Sequence, residues 1–197
     1  MQRVVDRVVR AQPERVYLVA DGPREQHPED ERLCSRVRTI MASAPWGGKV
    51  HTLFSDSNLG LKNGVMSGLD WVFENEDRAI ILEDDCLPEL SFFRFATELL
   101  ERYAHDHRVG MISGNNFLRG RRLDAHSYFF TSDARIWGWA TWRRTWQAFS
   151  EQSAQKKWTT EEVGALAAQL PAGYRRHSLT TTARKINSLD TWDVGFL

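Results

Sequence analysis

Ala79-Ile80-Ile81-Leu82-Glu83-Asp84-Asp85 is four apolar residues running without a break into three carboxylates. An apolar run this short, ended by charge, predicts a strand buried on both faces, as in a parallel sheet. Its flanks agree. Residues 61–75 carry Leu61, Val65, Leu69 and Val72 at helical spacing, and residues 91–102 also read as a helix. Upstream, Arg15-Val16-Tyr17-Leu18-Val19-Ala20 is a second short apolar run, stopped by Asp21-Gly22-Pro23, and residues 49–54 make a third. Between them Pro28 and three acids open a helix that ends near Pro45. Val4, Val5, Val8 and Val9 predict an amphipathic helix at the start, and residues 109–112 a strand halted by Ser113-Gly114-Asn115-Asn116. Strands alternating with helices mean an α/β domain with a doubly wound, mostly parallel sheet flanked by helices and joined by right-handed crossovers. After about residue 119 the alternation fades; residues 128–131 read as a further strand and residues 137–149 as a helix.

The composition bounds what such a domain does. The 197 residues carry 26 basic and 26 acidic side chains. That neutral balance supplies no concentrated basic surface for a polyanion, so nucleic acid is not an expected partner. Cys34 and Cys86 stand far apart, which gives neither a disulfide framework nor a paired-cysteine metal pattern and points to a reducing, cytoplasmic setting. No apolar run is long enough for a transmembrane segment, and the first ten residues lack the apolar centre of a signal peptide. Length and composition fit a single domain over residues 1–197. The 8 tryptophans cluster, four of them between Trp137 and Trp146.

In an open α/β sheet ligands bind beyond the carboxyl ends of the strands. The residues there are Asp21-Gly22-Pro23-Arg24, Ser55-Asp56-Ser57-Asn58-Leu59-Gly60, Glu83-Asp84-Asp85 and Ser113-Gly114-Asn115-Asn116. Three consecutive carboxylates repel one another unless a cation or hydrogen-bond donors offset them. A hard divalent ion, Mn²⁺ or Mg²⁺, takes one or two carboxylates and fills its other positions with water and phosphate oxygens, so the triplet is a candidate metal-diphosphate clamp. The same triplet also suits a solvated turn before a helix, where acids are common. Asp21 likewise suits the turn Asp-Gly-Pro unaided. Trp139, Trp142 and Trp146 repeat at three and four, the spacing of a helix core, whereas Trp137 and the Gly138-Trp139 backbone are candidates to line a sugar. Arg119, Arg121 and Arg122 form a small basic patch in a loop.

Residues 80–93, with Glu-Asp-Asp standing where Asp-X-Asp is usual, resemble the strand, acidic metal motif and helix of nucleotide-sugar glycosyltransferases of the GT-A fold. The likeness is closest to the branch that holds N-acetylglucosaminyltransferase I and bacterial haemolytic-protein-like sugar transferases. Val19-Ala20-Asp21-Gly22-Pro23-Arg24, Asn58-Leu59-Gly60-Leu61-Lys62 and Ile136-Trp137-Gly138-Trp139-Ala140-Thr141-Trp142-Arg143-Arg144 agree with that branch in order and spacing.

The resemblance implies a GT-A (Rossmann-like) fold and transfer of a sugar, with inversion, from a UDP-, GDP- or dTDP-sugar donor to a glycan or small hydroxyl acceptor. It implies roles residue by residue. Asp85 ligates Mn²⁺ or Mg²⁺, Asp84 touches the ribose or a metal-bound water, and Glu83 orients the nucleoside. Asp21 accepts from the base, Asn58 and Gly60 bring backbone to the nucleotide, and Lys62 lies near base or phosphate. Trp137, Gly138 and Trp139 line the sugar. Asp190, with Asp193 second, supplies the base that deprotonates the acceptor, although Asp190 also suits an ordinary helix N-cap. The family fold opens on a strand and continues past the base, so the resemblance also implies that the first strand is missing and the domain incomplete at both ends. That leaves a shortened, non-catalytic paralogue or binding protein as the alternative. A sugar-1-phosphate nucleotidyltransferase is a third reading, without the Gly-rich, Lys-containing loop such enzymes carry after their first strand.

Overall fold

The computed structural model describes residues 1–118, 121–122, 125–131, 135–155 and 159–168. Strand β1 (Arg15–Ala20) pairs in parallel with β2 (Lys49–Phe54), from Arg15 opposite Lys49 to Ala20 opposite Phe54. A second sheet has the order β3-β5-β4, from β3 (Arg78–Ile81), β4 (Met111–Ser113) and β5 (Trp139–Trp142). The class is therefore α/β, with the strands of the first three apolar runs where the sequence places them.

The helices follow from local chemistry. Helix α1 (Gln2–Ala11) buries Val4 and Val5 and ends on Gln12, whose left-handed φ of 51° lets its N–H reach the Val9 carbonyl. Helix α2 (Pro28–Ala42) has Pro28 at its first turn and Glu29, Asp30 and Glu31 beside it, which suits the positive end of the helix dipole. Helices α3 (Gly60–Asn75) and α4 (Leu90–Arg102) precede and follow β3, and α5 (Arg143–Gln155) continues directly from β5. Helix α6 (Thr160–Ala168) is the last described element.

Pairing departs from one mostly parallel sheet. Strand β5 runs antiparallel to both β3 and β4, with Ile80 and Ile112 both opposite Ala140. The Gly114 N–H donates to the Gly138 carbonyl at 2.9 Å and extends the β4–β5 ladder one step past the end of β4. Residues 137–149 are accordingly not one helix, because Trp139–Trp142 is strand and the helix begins only at Arg143. Residues 128–131 do not pair as a strand. Tyr128 instead packs edge-on against Phe95 and Tyr103, and its hydroxyl lies 2.7 Å from that of Tyr103.

All four residues of β5 are buried, and successive side chains go to opposite faces. Trp139 joins Leu69 and Phe73 of α3 and Trp146 and Phe149 of α5. Ala140 and Trp142 join Ala96, Leu99 and Leu100 of α4 and Ile112 of β4. Trp139 and Trp142 are thus three apart on a strand and belong to different cores, whereas a helix would have put them on one face. A third cluster, Val16, Leu18 and Met41, holds α2 against β1. No helix among the described residues is long and apolar enough to cross a membrane.

Candidate functional site

The strand ends gather polar residues in two groups. In the first, the carboxylate of Asp21, just past β1, accepts from four donors. Oδ1 takes the Gly22 N–H at 2.8 Å and the Leu59 N–H at 2.8 Å; Oδ2 takes Asn58 Nδ2 at 2.9 Å and the Gly60 N–H at 3.1 Å. Asn58 Nδ2 also reaches the Gly22 carbonyl at 3.2 Å. The exits of β1 and β2 and the start of α3 are thereby tied together. Gly60 has φ +78°, a conformation that L side chains rarely adopt, which explains glycine where the chain turns into the helix. Lys62 is exposed on the first turn of α3.

The second group lies at the exit of β3. Glu83, Asp85 and Cys86 each offer one ligand atom, and these atoms all lie within 4.8 Å of one another. The Cys86 N–H donates to the Glu83 carbonyl at 3.1 Å, a tight turn that folds the two side chains toward each other. The Cys86 Sγ donates to Asp85 Oδ1 at 3.6 Å. Burial pushes the Cys86 thiol above its ordinary pKa, and the negative charge of Glu83 and Asp85 adds to the effect. Asp84 points into solvent while its carbonyl accepts from the Met1 ammonium at 3.0 Å, which holds the start of α1 against the exit of β3.

Beside this cluster opens a cleft of about 1280 Å³ whose walls include Asp85, Asn115, Asn116, Tyr128, Trp137 and Gly138. Trp137 is 54% exposed, rests edge-on against Phe117, and its carbonyl accepts from Asn115 Nδ2. Gly138, at φ +75°, turns the chain from this exposed indole into β5. An exposed indole face, two primary amides and a carboxylate around one cleft suit a polyhydroxylated ligand, which needs an apolar platform and directional hydrogen bonds together.

Placed on this geometry, the sequence-predicted residues separate. Asp21, Asn58 and Gly60 come together at β1, β2 and α3. Glu83 and Asp85 come together at β3, and Asp85, Trp137 and Gly138 share the cleft. The Trp139 side chain is fully buried in the core cluster between α3 and α5, so what this segment offers the cleft is Trp137 and Gly138, just before β5. Arg121 and Arg122 also line the cleft. Arg119, Asp190 and Asp193 lie outside the described residues. Cys86 is the member the sequence reading passed over; its signal was adjacency to the acidic triplet.

The donor set fits a divalent cation. Two carboxylates whose ligand atoms lie within 4.8 Å of each other match the one or two that Mn²⁺ or Mg²⁺ takes from protein. Comparison of the chain with protein-family models, with curated proteins and with solved structures finds no match.

Proposed function

We propose that the chain is a metal-dependent glycosyltransferase of the GT-A kind, moving a sugar from a nucleoside-diphosphate donor to a hydroxyl acceptor with inversion. The observation that supports this reading most is the Glu83–Asp85–Cys86 cluster at a strand exit, open to a cleft that also presents Trp137, Asn115 and Asn116. Asp85 and Glu83 would hold Mn²⁺ or Mg²⁺. When bound, such an ion supplies charge stabilisation for a departing diphosphate, usually the largest electrostatic demand of this reaction.

The chain's own residues divide the remaining work. Asn58, Gly60 and Lys62 flank the nucleotide at the start of α3. The Trp137 indole and the Gly138 backbone face the sugar. Asp190, or Asp193 as the second choice, takes the acceptor proton.

The reading is tested by following release of nucleoside diphosphate from UDP-, GDP- and dTDP-sugars in the presence of Mn²⁺ and hydroxyl acceptors. Metal-dependent release that Asp190→Asn abolishes, with donor binding retained, is the expected result. Donor binding without any turnover in the wild-type chain would favour the non-catalytic binding protein. Absence of both binding and turnover would remove the glycosyltransferase reading.

A further inference from the structure

We propose that the hydroxyl acceptor is itself anionic, a sugar carrying a phosphate or a carboxylate, and that the cleft receives this group on Arg94, Arg121 and Arg122 and on the hydroxyl pair of Tyr103 and Tyr128. The acceptor role rests on the glycosyltransferase reading above; the preference for an anion stands on the cleft itself.

The chain as a whole is neutral, with 26 basic and 26 acidic side chains, so an excess of one sign in the cleft is a local feature. Besides Asp85, the carboxylates among its described walls are Glu89 and Glu98. Each is paired with an arginine that does not line the cleft, Arg7 at 3.5 Å and Arg102 at 2.8 Å. Arg108 is matched in turn by Asp106 at 2.7 Å. Arg94, Arg121 and Arg122 line the cleft, are exposed, and form no ion pair among the described residues. Three unmatched guanidinium groups thus stand against one carboxylate, Asp85, which a divalent ion offsets in the reading above. A recess lined by one sign of charge concentrates ligands of the other, and guanidinium forks suit phosphate and carboxylate oxygens.

The tyrosines mark the end of the cleft away from the carboxylate cluster. Helix α4 is 13 residues long, about 20 Å; Asp85 precedes it, Tyr103 directly follows it, and both line the cleft. The Tyr103 and Tyr128 hydroxyl oxygens are 2.7 Å apart, and that of Tyr128 also accepts from Arg102 Nη1 at 3.2 Å. Two hydroxyls carry two protons and only one fits between them. One O–H is therefore left over, with no acceptor among the described residues. The hydrogen bond with Tyr103, and then that from Arg102, hold the Tyr128 phenol below its ordinary pKa, so the surroundings already favour negative charge there. Phe130, 67% exposed, packs edge-on against both tyrosine rings and sets apolar surface beside the spare donor, a combination that suits an acidic sugar better than a bare inorganic anion.

Calorimetric titration of the full chain, without metal, with glucose 6-phosphate, glucuronate and glucose tests the preference. The two acidic sugars are expected to bind at least about tenfold more tightly than glucose. The double variants Arg121→Gln/Arg122→Gln and Tyr103→Phe/Tyr128→Phe, the second of which keeps the aromatic rings, should each weaken the acidic sugars by about tenfold and leave glucose unchanged. Binding of UDP with Mn²⁺ serves as the control for folding and for the donor site, and should be the same in wild type and both variants. Equal affinity for the three sugars, or selectivity that survives in either variant, would overturn the proposal. So would a loss of UDP binding in Arg121→Gln/Arg122→Gln, which would assign those arginines to the donor's phosphates. If wild-type protein does not bind UDP at all, the donor-site reading falls and the acceptor role with it, while the sugar series still decides whether the cleft selects an anion.

Discussion

The indole N–H of Trp146 donates to Asp70 at 2.7 Å, joining α5 to α3 across the core that also holds Trp139. The partner is on the outer side of α3, yet the ring it fixes is 1% exposed. A buried indole N–H is costly to leave unpaired.

Asp70→Ala is therefore expected to lower stability by about 1–3 kcal/mol. Asp70→Asn, which keeps an acceptor at the same place, costs less. Urea denaturation followed by tryptophan fluorescence measures both. Equal losses would show that the hydrogen bond is not what Asp70 contributes.

Arg144 is the second tie. Its guanidinium lies over the Trp142 ring, 4.4 Å from the centroid, and donates to the carbonyls of Tyr103, Ala104, Asp106 and Val109 between 3.0 and 3.4 Å. Burial lowers its pKa, opposed by the nearby Asp106 carboxylate. Arg144→Met keeps much of the apolar contact but strands carbonyls in the turn that leads into β4. A loss of about 2–4 kcal/mol is expected. Arg144→Lys should recover little of it, because an ammonium cannot span that fork or stack flat on the indole.

Acid titration should show two carboxylates released late. The Arg24 guanidinium holds Asp30 down to about 2, chiefly through the side-chain hydrogen bond at 2.6 Å, and Arg108 holds Asp106 down to about 2 in the same way. Both folded-state values lie below the ordinary carboxylate range. The stability these pairs contribute is therefore complete above about pH 4 and is lost as the pH falls toward 2. Both sites are exposed, so the effect on stability is small; the direct readout is the carboxyl carbon shift in NMR. Arg24→Gln should move the Asp30 midpoint up to the ordinary range and leave Asp106 where it was.

The parts of the fold legible in the sequence are those fixed by local pattern. The Val16–Ala20 run and residues 79–82 declare strands because each is short, apolar and stopped by charge or a turn. Pro28 with three acids declares a helix start. What stayed hidden depends on pairing. Trp139, Trp142 and Trp146 fit a helical spacing, but Trp139 and Trp142 face opposite sides of β5, and their partners lie on α3 and α4, far away in sequence. The antiparallel placement of β5 rests on its pairing with β3 and β4, strands distant in sequence, which no periodicity announces. Tyr128 looked like strand because it lies in an aromatic, β-prone run, and it is used instead as a wedge against α4.

The candidate site was legible as a set of strand ends, and less so in its roles. The acidic triplet marks the exit of β3, where the cluster is formed by Glu83 and Asp85 with Cys86, while Asp84 is exposed outside it. Adjacent residues in a tight turn cannot all face one point. Asp21 was likewise found by position, and its four donors became visible only once the loop after β2 was folded back onto it.

In the proposed function, Asp85 and its neighbours hold a cation that in turn holds a nucleoside diphosphate. Calorimetric titration of UDP into the full chain, with Mn²⁺ and then with excess chelator, tests it most directly, with Asp85→Asn as the paired variant. The account predicts binding in the presence of Mn²⁺, at least about tenfold weaker binding in the chelator, and the same loss in Asp85→Asn whether or not metal is added. UDP affinity that is indifferent to both the metal and the Asp85 substitution would contradict it.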